Sequence, residues 1–489
     1  MNIRQTIRQA FLAGLMASAL VGCVPEDSVE FSRDGAAGIA KIENTLYLVD
    51  GKTGQMQQIA QGDIQPFPSI TPDGKWIAYC QKVSLDSFSD AVKLLPGYQV
   101  EVIDYYARQM QQTIIANNGL IKNKFPDLTE GPLNKSDECR DWVIRCLCEN
   151  ADPNLIAVLP PADLEKGKKL PLELSELIMA PTGTDRQKEQ RIITASIFTL
   201  WRPVLSPGQK YVAYLSHKEE KDEGGSRYSL YLSQIQGDIT DVLVADSVAC
   251  GFAWQPDGKA IAYLENNAKE AEGFSLGILN NRLIADANDM LLAEPAPAEK
   301  TDKQGELAAR PAKGEATAIA LGLFNPFIKV AYGLGGKIFF SAAGMSLPAG
   351  KLNGEPRWSI FCYDPVTESI ADILPRGVSE DLDDNIGFFT ISPDGRNILL
   401  PMPKTRFKIY TLGGDAALSP IEEAEGLGEK NTLVMAPTWK GNDEICCMVS
   451  KESHFLKDYT GEKQDQNLII IDTKGEFRSI LTMPESEKK

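Results

Sequence analysis

Short apolar runs, each introduced by a cluster of turn residues, recur along most of the chain. Trp76-Ile-Ala-Tyr79, Tyr211-Val-Ala-Tyr214 and Ala260-Ile-Ala-Tyr263 lack polar alternation, so each predicts a strand covered on both faces. Before them stand Ile70-Thr-Pro-Asp-Gly74, Leu205-Ser-Pro-Gly-Gln209 and Trp254-Gln-Pro-Asp-Gly258, with further copies at Phe31-Ser-Arg-Asp-Gly35 and Ile391-Ser-Pro-Asp-Gly395. Proline presets φ, aspartate bonds the nearby backbone and glycine takes positive φ, so each copy specifies a tight hairpin. Leu334–Ser341 and Trp439–Cys446 are weaker copies, which brings the count to seven. A partner strand is predicted after each: Leu46–Val49, Val100–Ile103, Ser229–Leu232, Phe274–Leu279, Ser359–Tyr363, Phe407–Tyr410 and Leu468–Ile471. A final strand follows over turns such as Gly51–Gly54, giving four-stranded antiparallel units.

These turn-plus-strand copies resemble the TolB-like propeller repeat, a relative of the WD-repeat family, over residues 28–484. The resemblance implies an all-β fold, a seven-bladed β-propeller of four-stranded antiparallel blades with a small helical insertion; six or eight blades also fit. TolB itself carries a separate α/β domain, which this chain lacks before its repeats, so TolB's own partners do not carry over.

In such a meander the first and third connections lie at one end and the second connection and inter-blade link at the other. The signature turns make the first and third connections short. Long segments are assigned to the second connection (84–97, 216–228, 341–357, 451–466) or between blades (118–199, 293–316, 376–387), so one rim is expected to be decorated and to bind. The insertion 118–199 is read as partly helical, with one helix over Ser136–Glu149 and another over Leu170–Met179. Residues 293–316, rich in Ala, Pro, Glu and Lys, predict a flexible loop.

At the front, Arg4 and Arg8 precede an uncharged stretch, Ala10–Val21, too short for a permanent membrane span. Leu20-Val21-Gly22-Cys23 resembles the bacterial lipobox, which implies a signal peptide over 1–22, lipidation at Cys23 and a tether over 23–27. By analogy with lipoprotein sorting, Val24 favours the outer membrane facing the periplasm; the cell surface is the alternative.

Composition narrows the chemistry. A formal charge of −17 disfavours nucleic acid as a partner. His217 and His454 are the only histidines, so imidazole-based catalysis and metal binding are poorly supplied, and no cofactor is called for. Cys139 and Cys146 share a helix face while Cys148 points away, and adjacent Cys446 and Cys447 face opposite sides of a strand; packing explains them better than a metal site. Gly344-Met-Ser-Leu-Pro348 fails as a nucleophile elbow. Asp381 and Asp383 alternate as in calcium loops, but Ile386 replaces the required glycine, so they remain candidate surface binding residues without a metal. Trp254 and Trp439 read as core. Trp201 and Arg202, at the entry to a first strand, are candidates to line the channel mouth and grip a peptide or sugar. The function expected is a non-catalytic scaffold for envelope proteins or peptides, attached to the membrane through its lipid. A periplasmic polysaccharide lyase or hydrolase using carboxylates in the channel is the alternative.

Overall fold

The computed structural model describes residues 27–86, 88–116, 140–141, 143–145, 172–183, 189–220, 225–236, 241–271, 274–284, 316–324, 328–343, 345–346, 351–352, 358–374, 389–402, 406–412, 418–420, 432–451, 467–474 and 477–481. Cys23, Cys139, Cys146, Cys148, Asp381 and Asp383 lie outside them, as does the 293–316 loop except for its last residue.

The turn signatures do locally what their residue types dictate. Ser32 Oγ donates to Asp34 Oδ1 at 2.7 Å, and that same oxygen accepts the Ala36 N–H. Thr71 with Asp73 and Ser392 with Asp394 repeat the arrangement at 2.6 Å each. Glycine closes these turns at positive φ, 67° at Gly35 and 69° at Gly74. Leu205–Gln209 is the exception: its glycine sits one position early, so Gln209 takes the left-handed conformation at φ 53°.

From each turn the chain folds into antiparallel strands hydrogen-bonded in sequence order. Ser28–Phe31, Ala37–Ile42, Thr45–Asp50 and Met56–Gln61 make the first sheet. In the second, Trp76–Ser84 pairs with a first strand broken into Asp63–Ile64 and Ser69–Ile70, and Glu173–Pro181 and Arg191–Ser196 complete it. A seven-stranded sheet follows. Its middle strand, Asp241–Trp254, pairs through Asp241–Val248 with the strand before it and through Val248–Trp254 with the strand after it. Three more four-stranded sheets begin at Val330, Thr390 and Thr432.

The first strands meet in a circle. Ser28–Phe31 touches Ser69–Ile70, which touches Thr199–Leu205; contact then passes to Asp241–Trp254, Val330–Tyr332, Thr390–Ile391, Thr432–Lys440 and back to Ser28–Phe31. Apolar layers fill the wedges between sheets. Across the join between the two ends of the chain, Phe31, Tyr47 and Val49 pack with Cys446, Leu468 and Ile470. Trp254 Nε1 donates to the Val204 carbonyl at 3.0 Å and Trp439 Nε1 to that of Thr390 at 3.3 Å, each bond running to the preceding strand of the circle. Cys446 and Cys447 enter different layers, as strand alternation requires. The chain is a β-propeller, and its first strands line the centre.

Three sequence expectations are corrected. Val100–Ile103 is not a strand but part of a helix, Gly97–Ala116, in which Ile103 and Ala107 lie one turn apart and bury against Leu174, Ala195 and Ile197. Leu170–Met179 is not a helix: Glu173–Pro181 is the third strand of the second sheet, its interior buried on both faces between two neighbours. Tertiary pairing overrides the helix-forming composition of this segment. The helical insertion therefore sits between Ser84 and Glu173, in a second connection, rather than between blades over 118–199. Residues 140–141 and 143–145 are helical, and Arg140 forks onto Asp104 at 2.8 and 3.2 Å.

The expectation of a single decorated rim also fails in part. Phe274–Leu283 pairs with Ala316–Leu323, so the long stretch after Leu283 is a third connection, at the end opposite the helical insertion. Most of 216–228 is not loop either, since Tyr211–Glu220 and Gly225–Gln234 extend as paired strands.

Candidate functional site

Three consecutive first strands are irregular where they enter the ring, at the same end as the helical insertion. The second sheet's first strand is interrupted around Phe67, which holds φ 60°. In the next, the register slips between Trp201 and Val204, and Arg202 holds φ 46°. In the third, it slips between Val248 and Phe252, just after Ser247 at φ 56°. Left-handed backbone costs roughly 1–2 kcal/mol for a residue with a Cβ. Bulges redirect side chains that regular alternation would send elsewhere.

The redirected side chains converge. The Arg202 guanidinium lies over the Phe67 ring, 5.4 Å from its centroid, and 5.9 Å from that of Phe252. Gly251 lets the neighbouring chain come close: a Cβ there would stand 2.3 Å from the Ile328 carbonyl oxygen and 2.5 Å from Lys329 Cα. That approach brings Lys329 to the strand carrying Cys250, and the charges of Arg202 and Lys329 both act on Glu30 of Ser28–Phe31.

These charges act on one another. Burial pushes the Glu30 carboxyl up to about 7, against the opposing pull of Arg202 and then Lys329. Burial likewise pushes the Lys329 ammonium down to about 7; Arg202 adds to the fall, while Glu30 and Cys250 oppose it. The Cys250 thiol is raised by burial and drawn back by Arg202 and Lys329. Glu30 nonetheless keeps an exposed surface and Lys329 a partly exposed one. Arg202, Lys329 and Glu30 thus act on one another beside two aromatic rings, in a chain whose net charge is −17.

Of the two residues expected at the channel mouth, Arg202 lies against Phe67 and Phe252 rather than beside Trp201. Trp201 faces the other way: its ring packs 5.2 Å from His217 and 5.6 Å from Tyr228, inside the apolar layer between sheets. The register slip that follows Trp201 leaves Arg202 outside that layer, so Trp201 and Arg202 do not grip a ligand together. Glu30, Phe67, Cys250 and Lys329 were missed because none belongs to a motif; the signal available was their shared position just before or within a first strand.

Beside the mouth, Gln99 docks the helical insertion. Its Nε2 donates to Ser196 Oγ at 3.1 Å and its Oε1 accepts the Ile197 N–H at 3.0 Å. Among the described residues, no group of three His, Cys, Asp or Glu side chains could hold a metal, and no helix is long and apolar enough to cross a membrane.

No family model matches this chain, and no curated protein matches it. Similar solved structures include the β-propeller domain of the trilobed protease from Pyrococcus furiosus, at 10% identity and TM-score 0.46 over 93% of this chain and 98% of that one. A putative TolB from Agrobacterium tumefaciens is 15% identical over 60% of this chain and 85% of that one, with TM-score 0.35. A β-propeller domain from Myceliophteria thermophila is 9% identical over 86% and 92%, with TM-score 0.44. Likenesses this distant carry no argument about function.

Proposed function

We propose that this chain is a cell-envelope lipoprotein, tethered through Cys23 to the outer membrane and facing the periplasm, whose propeller is a non-catalytic scaffold for envelope proteins or peptides. A closed ring of seven blades is part of the proposal. It is supported by the unbroken circle of first-strand contacts and by the division of the seven-stranded sheet at Val248. The observation that carries the binding role is the Arg202 guanidinium held over Phe67 and Phe252, with its charge acting on Lys329 and Glu30. Aromatic faces beside a guanidinium are what binding hot spots are built from.

Crosslinking in intact cells, followed by identification of captured proteins, tests the scaffold. Reproducible capture of one envelope complex supports it, and empty capture overturns it. Cys23→Ser should release the protein from membranes; unchanged membrane attachment would sink the tether.

A carbohydrate-active enzyme draws support from one group only. Glu30, held near neutrality, suits a general acid. Glycoside hydrolysis ordinarily uses a second carboxylate, whereas the charges acting on Glu30 are the cations Arg202 and Lys329. Turnover on a glycan panel that is abolished by Glu30→Gln would establish the enzyme reading instead.

A further inference from the structure

We propose that the channel mouth formed by Arg202, Lys329, Phe67 and Phe252 is a receptor for the C-terminal carboxylate of an inserted peptide, with Glu30 as the built-in counter-ion that this carboxylate displaces. The inference rests on the scaffold reading and names the chemical group that the scaffold recognises.

Four observations carry it. Strain is invested here, since Phe67 and Arg202 both hold left-handed backbone and meet each other. Gly251 admits the close approach that brings Lys329 into the group. Among the described residues, Glu30 is the carboxylate on which the charges of Arg202 and Lys329 act, and the Arg202 guanidinium, held over two rings, is the fixed charge open to an incoming anion. The flanking surface is aromatic, Phe252 being buried and Phe67 partly open.

A guanidinium matches a carboxylate with two parallel hydrogen bonds. The rings beside it suit the apolar side chain of a terminal residue. A polyphosphate is disfavoured by the charge of the whole chain. A sugar acid would ask for hydroxyl partners, whereas the polar groups shown to act here are Glu30, Arg202, Lys329 and the Cys250 thiol. Those four also set the pH dependence. As pH falls through 7, Glu30 and Lys329 each gain a proton, so the mouth becomes more positive and holds an anion more tightly.

Ligand-observed NMR titration of the full chain with hippurate, its amide, glucuronate and inorganic phosphate, at pH 6 and pH 8, tests this directly. Hippurate should bind at least tenfold more tightly than its amide, and more tightly at pH 6. Arg202→Gln and Lys329→Gln should each weaken it about tenfold, Arg202→Lys should retain part of the affinity, and Glu30→Gln should tighten binding. Melting midpoints of the variants confirm that they fold.

Equal binding of acid and amide would overturn the proposal, as would unchanged affinity in a folded Arg202→Gln protein or a preference for glucuronate or phosphate. If hippurate fails while one envelope complex is still captured in cells, this inference falls and the scaffold stands. If capture is empty while hippurate binds, the scaffold falls and the carboxylate site stands.

Discussion

Arg202 and Phe67 sit on different sheets, each with a left-handed backbone, and the guanidinium of one lies 5.4 Å from the ring centroid of the other. A residue with a Cβ seldom adopts this conformation without compensation. Here two do so in contact, at the mouth of the channel. The bulge at Arg202 turns its side chain inward while Trp201 stays in the packing layer. The irregularity of three successive first strands is therefore the feature that assembles the site.

Gly251→Ala should be destabilising and should disturb the site. The new methyl would stand 2.3 Å from the Ile328 carbonyl oxygen and 2.5 Å from Lys329 Cα, backbone atoms that can yield only by moving the strand. Overpacking of this kind costs about 1–3 kcal/mol. Urea unfolding measures the loss, and an unchanged midpoint would contradict the close approach.

Gln209→Gly should stabilise the protein. Gln209 occupies at φ 53° the turn position that glycine fills in the other copies. Relief of that conformation is worth roughly 1 kcal/mol, partly offset by the greater backbone freedom of glycine when unfolded and by loss of the exposed 3.3 Å bond from Gln209 to Asp73. A raised thermal midpoint is the expected result; a fall of several degrees would show that the glutamine side chain matters more than its backbone.

Stability should depend on pH through Glu30 and Lys329 with opposite signs. Glu30 is raised from 4.5 to about 7, so between those values the native state binds more protons than the unfolded state, and stability falls as pH rises. Lys329 is lowered from 10.5 to about 7, so from about 7 to 10.5 the unfolded state binds more protons, and stability rises with pH. Together they place a minimum near pH 7. Denaturant unfolding of the parent and a Glu30→Gln/Lys329→Gln variant at pH 5, 7 and 9 checks this. The difference between the two proteins should favour the variant most at pH 7, and a flat difference would contradict the shifts.

Gln99→Leu should loosen the helical insertion without opening the ring. It removes the hydrogen bonds of a buried amide and strands the Ile197 N–H, while Ser196 Oγ keeps the Phe198 N–H, at about 1–3 kcal/mol for the group left unsatisfied. Hydrogen exchange should quicken in Gly97–Ala116 and stay slow in Ala260–Ala271; equal loss of protection in both would argue against a local docking role.

The repeat was legible because its cause is local. Ser32 with Asp34, Thr71 with Asp73 and Ser392 with Asp394 build their turns from side chains two residues apart. The apolar runs after them declare strands buried on both faces without reference to the rest of the molecule. The two tryptophans read as core, Trp254 and Trp439, are buried. Reading failed where a segment's state depends on distant partners. Val100 and Ile103 fit a strand by composition and belong to a helix because Leu174, Ala195 and Ile197 await them. Glu173–Pro181 reads as helical and is a strand because two neighbours flank it.

The channel mouth lies wholly on that second side. Phe67, Arg202, Cys250 and Lys329 come from four separate stretches of chain and share no spacing along it. Only closure of the circle, with its slips in register and the gap left by Gly251, brings them together. Local side-chain chemistry thus determined the units, and long-range packing decided where the insertions project and which charges meet, because bulges and close approaches exist only between strands already in place.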